Sequence, residues 1–274
     1  LENGKQMNNN HVHQHQAISM DPFIIVFFSF MIMVYLFCIF LSNKKYKKWP
    51  LNRVILWIIG MICAAISLAG PIAEHASIDF RAHMLGHLIL GMLAPIFVIF
   101  SCPMTLLLRT IPIQAARIAA KVLQSLPIRI YSNPFVAALL HMGGLWILYT
   151  TNLYAFMHES ILIYFVIHLH IFFAGYLFIW SLLDIDLKPH RTSFFYRASV
   201  LIVALASHGI LSKYIYAYPP IGVVKHQAET GGMLMYYGGD VIDGVLIFLF
   251  CLQWYKKRRI PFIQGSKNHQ RFQM

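Results

Sequence analysis

The chain has 274 residues, 58% of them hydrophobic and only 12% charged, and its mean hydropathy is +0.62. A soluble domain carries roughly a quarter charged residues, so this composition excludes a water-soluble enzyme or binding module and places the chain in lipid. The net charge of +12 raises nucleic acid as a partner, but the basic residues adjoin apolar runs, the pattern of anchorage against anionic headgroups.

Residues 1–21 read as a polar tail with His11, His13 and His15 at alternating positions and without the apolar core of a signal peptide. Seven apolar runs follow, at about 22–42, 53–70, 83–102, 134–151, 160–182, 197–215 and 232–255, each near the roughly 20 residues that cross a bilayer. The predicted fold is therefore all-α: a polytopic bundle of seven transmembrane helices over 22–255, closed by a basic tail over 256–274. Lys44, Lys45, Lys47, Lys48 and Arg53 follow the first run, and Arg109, Arg117, Lys121 and Arg129 the third. Lys188, Arg191 and Arg197 follow the fifth, and Lys256, Lys257, Arg258, Arg259, Lys267 and Arg271 the seventh. Only Lys5, Arg81, Lys213 and Lys225 fall on the other side, so the rule that basic loops stay in the cytoplasm predicts an outer N-terminus and a cytoplasmic C-terminus.

Between the third and fourth runs, CPMTLLLRTIPIQAARIAAKVLQSLP reads as an amphipathic interfacial segment, with Leu106, Leu107 and Ile111 apolar and Arg109, Arg117 and Lys121 basic. Cys38, Cys63, Cys102 and Cys251 are widely separated and form no CxxC, so they read as small buried residues rather than disulfide partners.

Histidine is sorted the other way from lysine and arginine. Apart from His190 and His269, every histidine lies on the predicted outer side or in the half of the membrane facing it. His83 opens the third run, and His87, at i+4 on the same face, lies one turn (about 6 Å) deeper. His208 lies roughly 10 Å below the outer end of the sixth run, and His168 and Asp240 about 12 Å below the ends of the fifth and seventh. His141 and Asp243 approach the midplane. An ionisable group in hydrocarbon costs at least a few kcal/mol, so it faces a partner or a wet cavity. Five helices offering such groups at similar depth predict either a polar network joining helices or a metal site. The outer loops add Glu74, His75, Asp79, His158, Glu159 and His226, with Met233 and Met235 nearby. Imidazole with thioether suits copper, particularly Cu(I), better than magnesium or calcium.

Four segments carry a resemblance to a known family. HMLGHLILGMLAPIFVIFSCPMTLLLR (83–109), HMGGLW (141–146), HLHIFFAGYLFIW (168–180) and HQAETGGMLMY (226–236) resemble the conserved segments of the CtaG family of cytochrome c oxidase assembly factors. Gly143 stands where that family usually has proline, His226 where it has aspartate, and Tyr236 where it has tryptophan. The histidine-to-glycine-to-tryptophan spacing of the third segment favours His168 over His170. The resemblance implies a non-enzymatic assembly factor of the bacterial plasma membrane that supplies copper to oxidase subunits. Its expected ligands are His83 and His87, with His168, His208, Asp240 and His141 completing or supporting the site. Two other readings remain from the residues: a membrane redox protein holding haem between His83, His87, His168 or His208, and a metal-free scaffold for oxidase assembly.

Overall fold

A computed structural model describes residues 21–188 and 192–271, with side chains described to 257. Every regular element among the described residues is helical. The first crossing is α1 (Asp21–Lys45), and the second is α2 (Leu51–Leu68) with the short α3 (Pro71–Ala76). The third is a composite of α4 (Phe80–Leu88), a π-helical turn (Ile89–Leu93) and α5 (Ala94–Phe100). Three short helices follow: α6 (Pro103–Thr110), α7 (Ile113–Leu123) and α8 (Leu126–Tyr131). The remaining elements are α9 (Pro134–Thr150), α10 (Leu153–Glu159), α11 (Ile161–Leu182), α12 (Phe194–Ala217) and α13 (Lys225–Arg271). Six of these spans are long and apolar enough to cross a membrane, and the bent pair α9 and α10 (79°) makes a seventh if it is one broken span. The chain is thus an all-α polytopic membrane protein.

The third span is the hub. In an 18-residue stretch of Phe80–Phe100, 72% of the residues are buried within the protein, against 11% in such a stretch of α1, whose apolar surface is left for lipid. It packs on α2, α11 and α13. Close approach to α11 depends on Gly175, where a Cβ would overlap the carbonyl of Gly91. The π-helical turn has a local cause. Pro95 has no N–H for the Gly91 carbonyl one turn back, and the ladder re-registers so that Ala94 N–H bonds the carbonyl of Ile89.

Contacts between connections divide them into two faces. On one, Arg109 donates to the Lys47 carbonyl (2.9 Å) and stands over the Tyr46 and Trp49 rings, while Lys257 of α13 lies 3.5 Å from Asp184. On the other, Gly70 N–H donates to Asp21 (3.3 Å) and Phe80 N–H to Gln227 (3.3 Å). This grouping matches the charge asymmetry, with the basic loops gathered on the first face. The tail histidines His11, His13 and His15, and also Arg191, lie outside the described residues, as do the side chains of Arg258, Arg259, Lys267 and Arg271.

The expected interfacial segment is broken into α6–α8 at Pro112 and Ser125, and its two ends differ. Ile113, Ile118, Val122 and Leu126 are exposed, as an interfacial helix requires, but Leu106 is buried against Tyr35, Trp49 and Cys102. Asp186 explains that anchoring. Its carboxylate accepts from Met104 N–H (2.8 Å), Thr105 N–H (2.9 Å) and the Thr105 hydroxyl (2.5 Å), capping α6 at its N-terminus. All four cysteines are free.

Candidate functional site

The site is built from the outer end of α4, on the face opposite the basic loops. Asp79 caps this helix, accepting from Arg81 N–H (2.9 Å) and pairing with the Arg81 guanidinium (2.7 Å). That hydrogen bond holds the Asp79 carboxyl below the usual carboxylate range, so it stays charged at the positive end of the helix dipole. Gln227 of α13 fixes the same turn, accepting from Phe80 N–H and donating to the Ile78 carbonyl (3.4 Å). Gly231, one turn on, lets α13 close on the Phe80 ring, where a Cβ would sit 2.6 Å from it. Within the diverged 226–236 segment, Gln227 and Gly231 therefore position α4. His226 and Met233 are exposed and Met235 is fully buried.

His83, one turn into α4, is 4% exposed. Its Nε2 lies 3.1 Å from the Tyr149 hydroxyl, which can donate or accept and so satisfies either tautomer. The imidazole in ring contact with it comes from another span: His168 of α11, with ring centres 6.3 Å apart and planes at 85°. His168 Nδ1 lies 2.8 Å from the Tyr164 carbonyl. A carbonyl can only accept, so Nδ1 carries the proton and the Nε2 lone pair is left for another partner, the arrangement common among metal-ligating histidines. The bend between α9 and α10 brings Tyr154 edge-on to His83, ring centres 5.0 Å apart, and buries Met157 nearby.

His83 and His168 line one cavity of about 630 Å³, together with Glu74, Met157, His158 and Glu159. The loop residues Glu74, His158 and Glu159 were legible as outer ligand candidates. Met157, Tyr149 and Tyr154 were not, although Met157 directly precedes His158 in a segment already rich in donors.

A second tier lies deeper. His87 is 3% exposed, and neither of its ring nitrogens has a hydrogen-bond partner among the described residues or access to solvent. It faces Tyr149, ring centres 6.3 Å apart, so Tyr149 stands beside both α4 histidines. His141, stacked on Phe178, and His208 border a void of about 10 Å³ with Gly91 and Asp243. His208 Nδ1 lies 4.0 Å from the Asp243 carboxylate, and its Nε2 is buried without a partner among the described residues. Asp243, rather than Asp240, is the buried carboxylate of α13; Asp240 is exposed on that helix. His170 is likewise exposed and bonds the Leu140 carbonyl (3.1 Å), apart from the cavity.

The six residues singled out from the sequence thus divide into an outer pair, His83 and His168, an inner set, His87, His141 and His208, and the exposed Asp240. Among the described residues, no three histidine, cysteine, aspartate or glutamate side chains are drawn close enough to enclose a metal ion. The arrangement can offer a cation two imidazoles at the cavity wall and further imidazoles below. The inner void has room for about one water molecule and none for a macrocycle.

Comparison with known proteins adds a family. A family profile described as "Cytochrome c oxidase caa3 assembly factor (Caa3_CtaG)" matches residues 33–257. Uncharacterized proteins of Mycobacterium bovis and Mycobacterium tuberculosis are each 27% identical over 179 residues, covering 61% of this chain and 26% of theirs. One from Mycobacterium leprae is 25% identical over 177 residues, covering 59% and 26%. The chain therefore spans about a quarter of the length of these curated relatives. No solved structure matches it.

Proposed function

This chain belongs to the caa3 cytochrome c oxidase assembly factor family, and from that premise we propose that it assists oxidase assembly by holding copper as a cargo in the His83–His168 cavity. The observation carrying this reading is the pairing of two imidazoles from separate spans at the wall of one open cavity, beside a buried thioether. Metal–nitrogen bonds of about 2.0 Å put the ring centres of two imidazoles on one ion roughly 5 Å apart at a tetrahedral angle and roughly 6 Å apart when the two bonds are in line. The ring centres of His83 and His168 are 6.3 Å apart. Imidazole and thioether select Cu(I) over hard cations.

The chemistry is ligand exchange and needs no covalent catalysis. His168 offers Nε2 with its tautomer already set by Tyr164. His83 gives up its contact with Tyr149 to bind, and Tyr149 takes it back on release. A set of two or three neutral ligands holds copper loosely enough for a buried oxidase site with more ligands to withdraw it. The face opposite the basic loops is the outer one by charge, so the cargo would be held outside the cytoplasm.

The test is copper content of the full chain purified in mild detergent under reducing, chelator-free conditions and loaded with Cu(I). His83→Ala and His168→Ala should each lower bound copper, and His170→Ala should not. Full occupancy in both of the first two variants would refute the assignment, and a wild-type chain that retains no copper would leave a metal-free scaffold as the reading.

A further inference from the structure

On the basic face, away from the His83–His168 cavity, the segment after α11, the start of α12 and the 250–257 stretch of α13 enclose a cavity of about 300 Å³ lined by Asp184, Thr192, Ser193, Arg197, Trp254 and Lys257 among others. Three cations converge on one carboxylate there. Asp184 lies 2.5 Å from Lys188 Nζ, 3.3 Å from Arg197 Nη2 and 3.5 Å from Lys257 Nζ. Asp186, the nearest other acid in sequence, is turned to α6 and does not offset this excess. Burial pushes the Asp184 carboxyl up, but the Lys188 hydrogen bond and the three positive charges outweigh it and hold the group below the usual carboxylate range. The cluster therefore keeps its full charge, with positive in excess.

Arg197 is the second observation. It is 5% exposed, its Nη1 donates to the Leu182 carbonyl and its Nη2 faces Asp184, yet the Nε hydrogen has no acceptor among the described residues. Buried donors without acceptors are rare in folded proteins, and one on a guanidinium lining a cavity points to a missing anionic partner. The 24-residue α12 begins at this cavity, so its positive dipole end adds to the attraction. Phe194, stacked between Phe250 (4.7 Å) and Trp254 (4.8 Å), supplies an apolar wall beside the charges. We propose that this cavity binds a phosphate-bearing anion, either the headgroup of an anionic lipid or a soluble phosphate, through Arg197, Lys257 and the start of α12.

The proposal is independent of copper. The full chain in neutral detergent is titrated with phosphatidylglycerol against a phosphatidylcholine background and bound lipid is counted by native mass spectrometry. A parallel titration uses inorganic phosphate, with thermal stability as the readout. Lys257 is exposed enough to be changed without disturbing the core. Lys257→Gln should weaken binding about five-fold, the equivalent of the roughly 1 kcal/mol that one basic side chain contributes near anionic headgroups. Lys48→Gln, in the exposed loop between α1 and α2 and not among the lining residues, should leave binding unchanged. Saturable retention of one phosphatidylglycerol with this pattern identifies a lipid site. Saturable stabilisation by inorganic phosphate alone, again weakened by Lys257→Gln, identifies a soluble anion. The proposal is overturned if neither probe saturates, if Lys257→Gln binds like the wild type, or if Lys48→Gln weakens binding equally.

Discussion

Replacing His87 by leucine should make the metal-free protein more stable, not less. The ring is 3% exposed, and both nitrogens are buried without a hydrogen-bond partner among the described residues. An unsatisfied buried polar group costs about 1–3 kcal/mol, so two place roughly 2–6 kcal/mol against the folded state. Leucine has a similar volume, and repacking a volume-conserving change costs less than about 1.5 kcal/mol. The net expectation is a gain of about 2 kcal/mol for His87→Leu. His83→Leu is the internal control: it removes the 3.1 Å contact and leaves the Tyr149 hydroxyl buried without its partner, so it should destabilise by about 1–3 kcal/mol. Both are read by reversible unfolding of copper-free protein in mixed micelles. If His87→Leu is destabilised like His83→Leu, the His87 nitrogens are satisfied in the resting protein, and the reading of this imidazole as a buried group without partners fails.

Three further outcomes follow from the packing. Asp184→Asn should cost about 2 kcal/mol at neutral pH, below the roughly 3–5 kcal/mol for breaking a fully buried pair, because Lys257 is 58% exposed. Since the folded carboxyl titrates below its ordinary value, its stabilisation is complete above about pH 4 and is lost as pH falls further, so the variant and wild type should converge in acid unfolding curves. Gly175→Ala forces a methyl group onto the Gly91 carbonyl and should destabilise by about 1–3 kcal/mol in the same unfolding assay, with Gly143→Ala, whose nearest neighbour is a leucine side chain, close to neutral. Gln227→Ala removes two hydrogen bonds from the start of α4, each worth about 1 kcal/mol, and should speed hydrogen exchange at Phe80 without affecting that at the end of α12. Unchanged exchange would mean that Asp79 alone holds that turn.

Hydropathy and charge are properties of short stretches of chain, and both were legible before any contact was known. Seven apolar runs, their alternation with basic loops and the depth of each histidine along its own helix follow from a rise of about 1.5 Å per residue. The spacing of His83 and His87 likewise places them on one helix face, as the structure has them. What the spacing did not carry is which way each helix is turned about its axis. The fifth span, α11, is apolar on nearly all sides, so no amphipathic stripe marks the face that meets α4. Rotation is set instead by shape, through the seating of Gly175 on the Gly91 backbone, and that contact belongs to the span whose packing carries His168 to His83. The same limit applies to α13, where the sequence favours Asp240, yet packing buries Asp243, three residues on, and exposes Asp240. The turn between α9 and α10 was also out of reach, because Tyr154 and Met157 belong to the site only through a 79° bend in a loop that reads as a simple connection. Depth and sidedness are written locally in residue type, whereas the meeting of two imidazoles depends on steric fit between helices 85 residues apart in the chain, His83 to His168, and only the assembled bundle decides it.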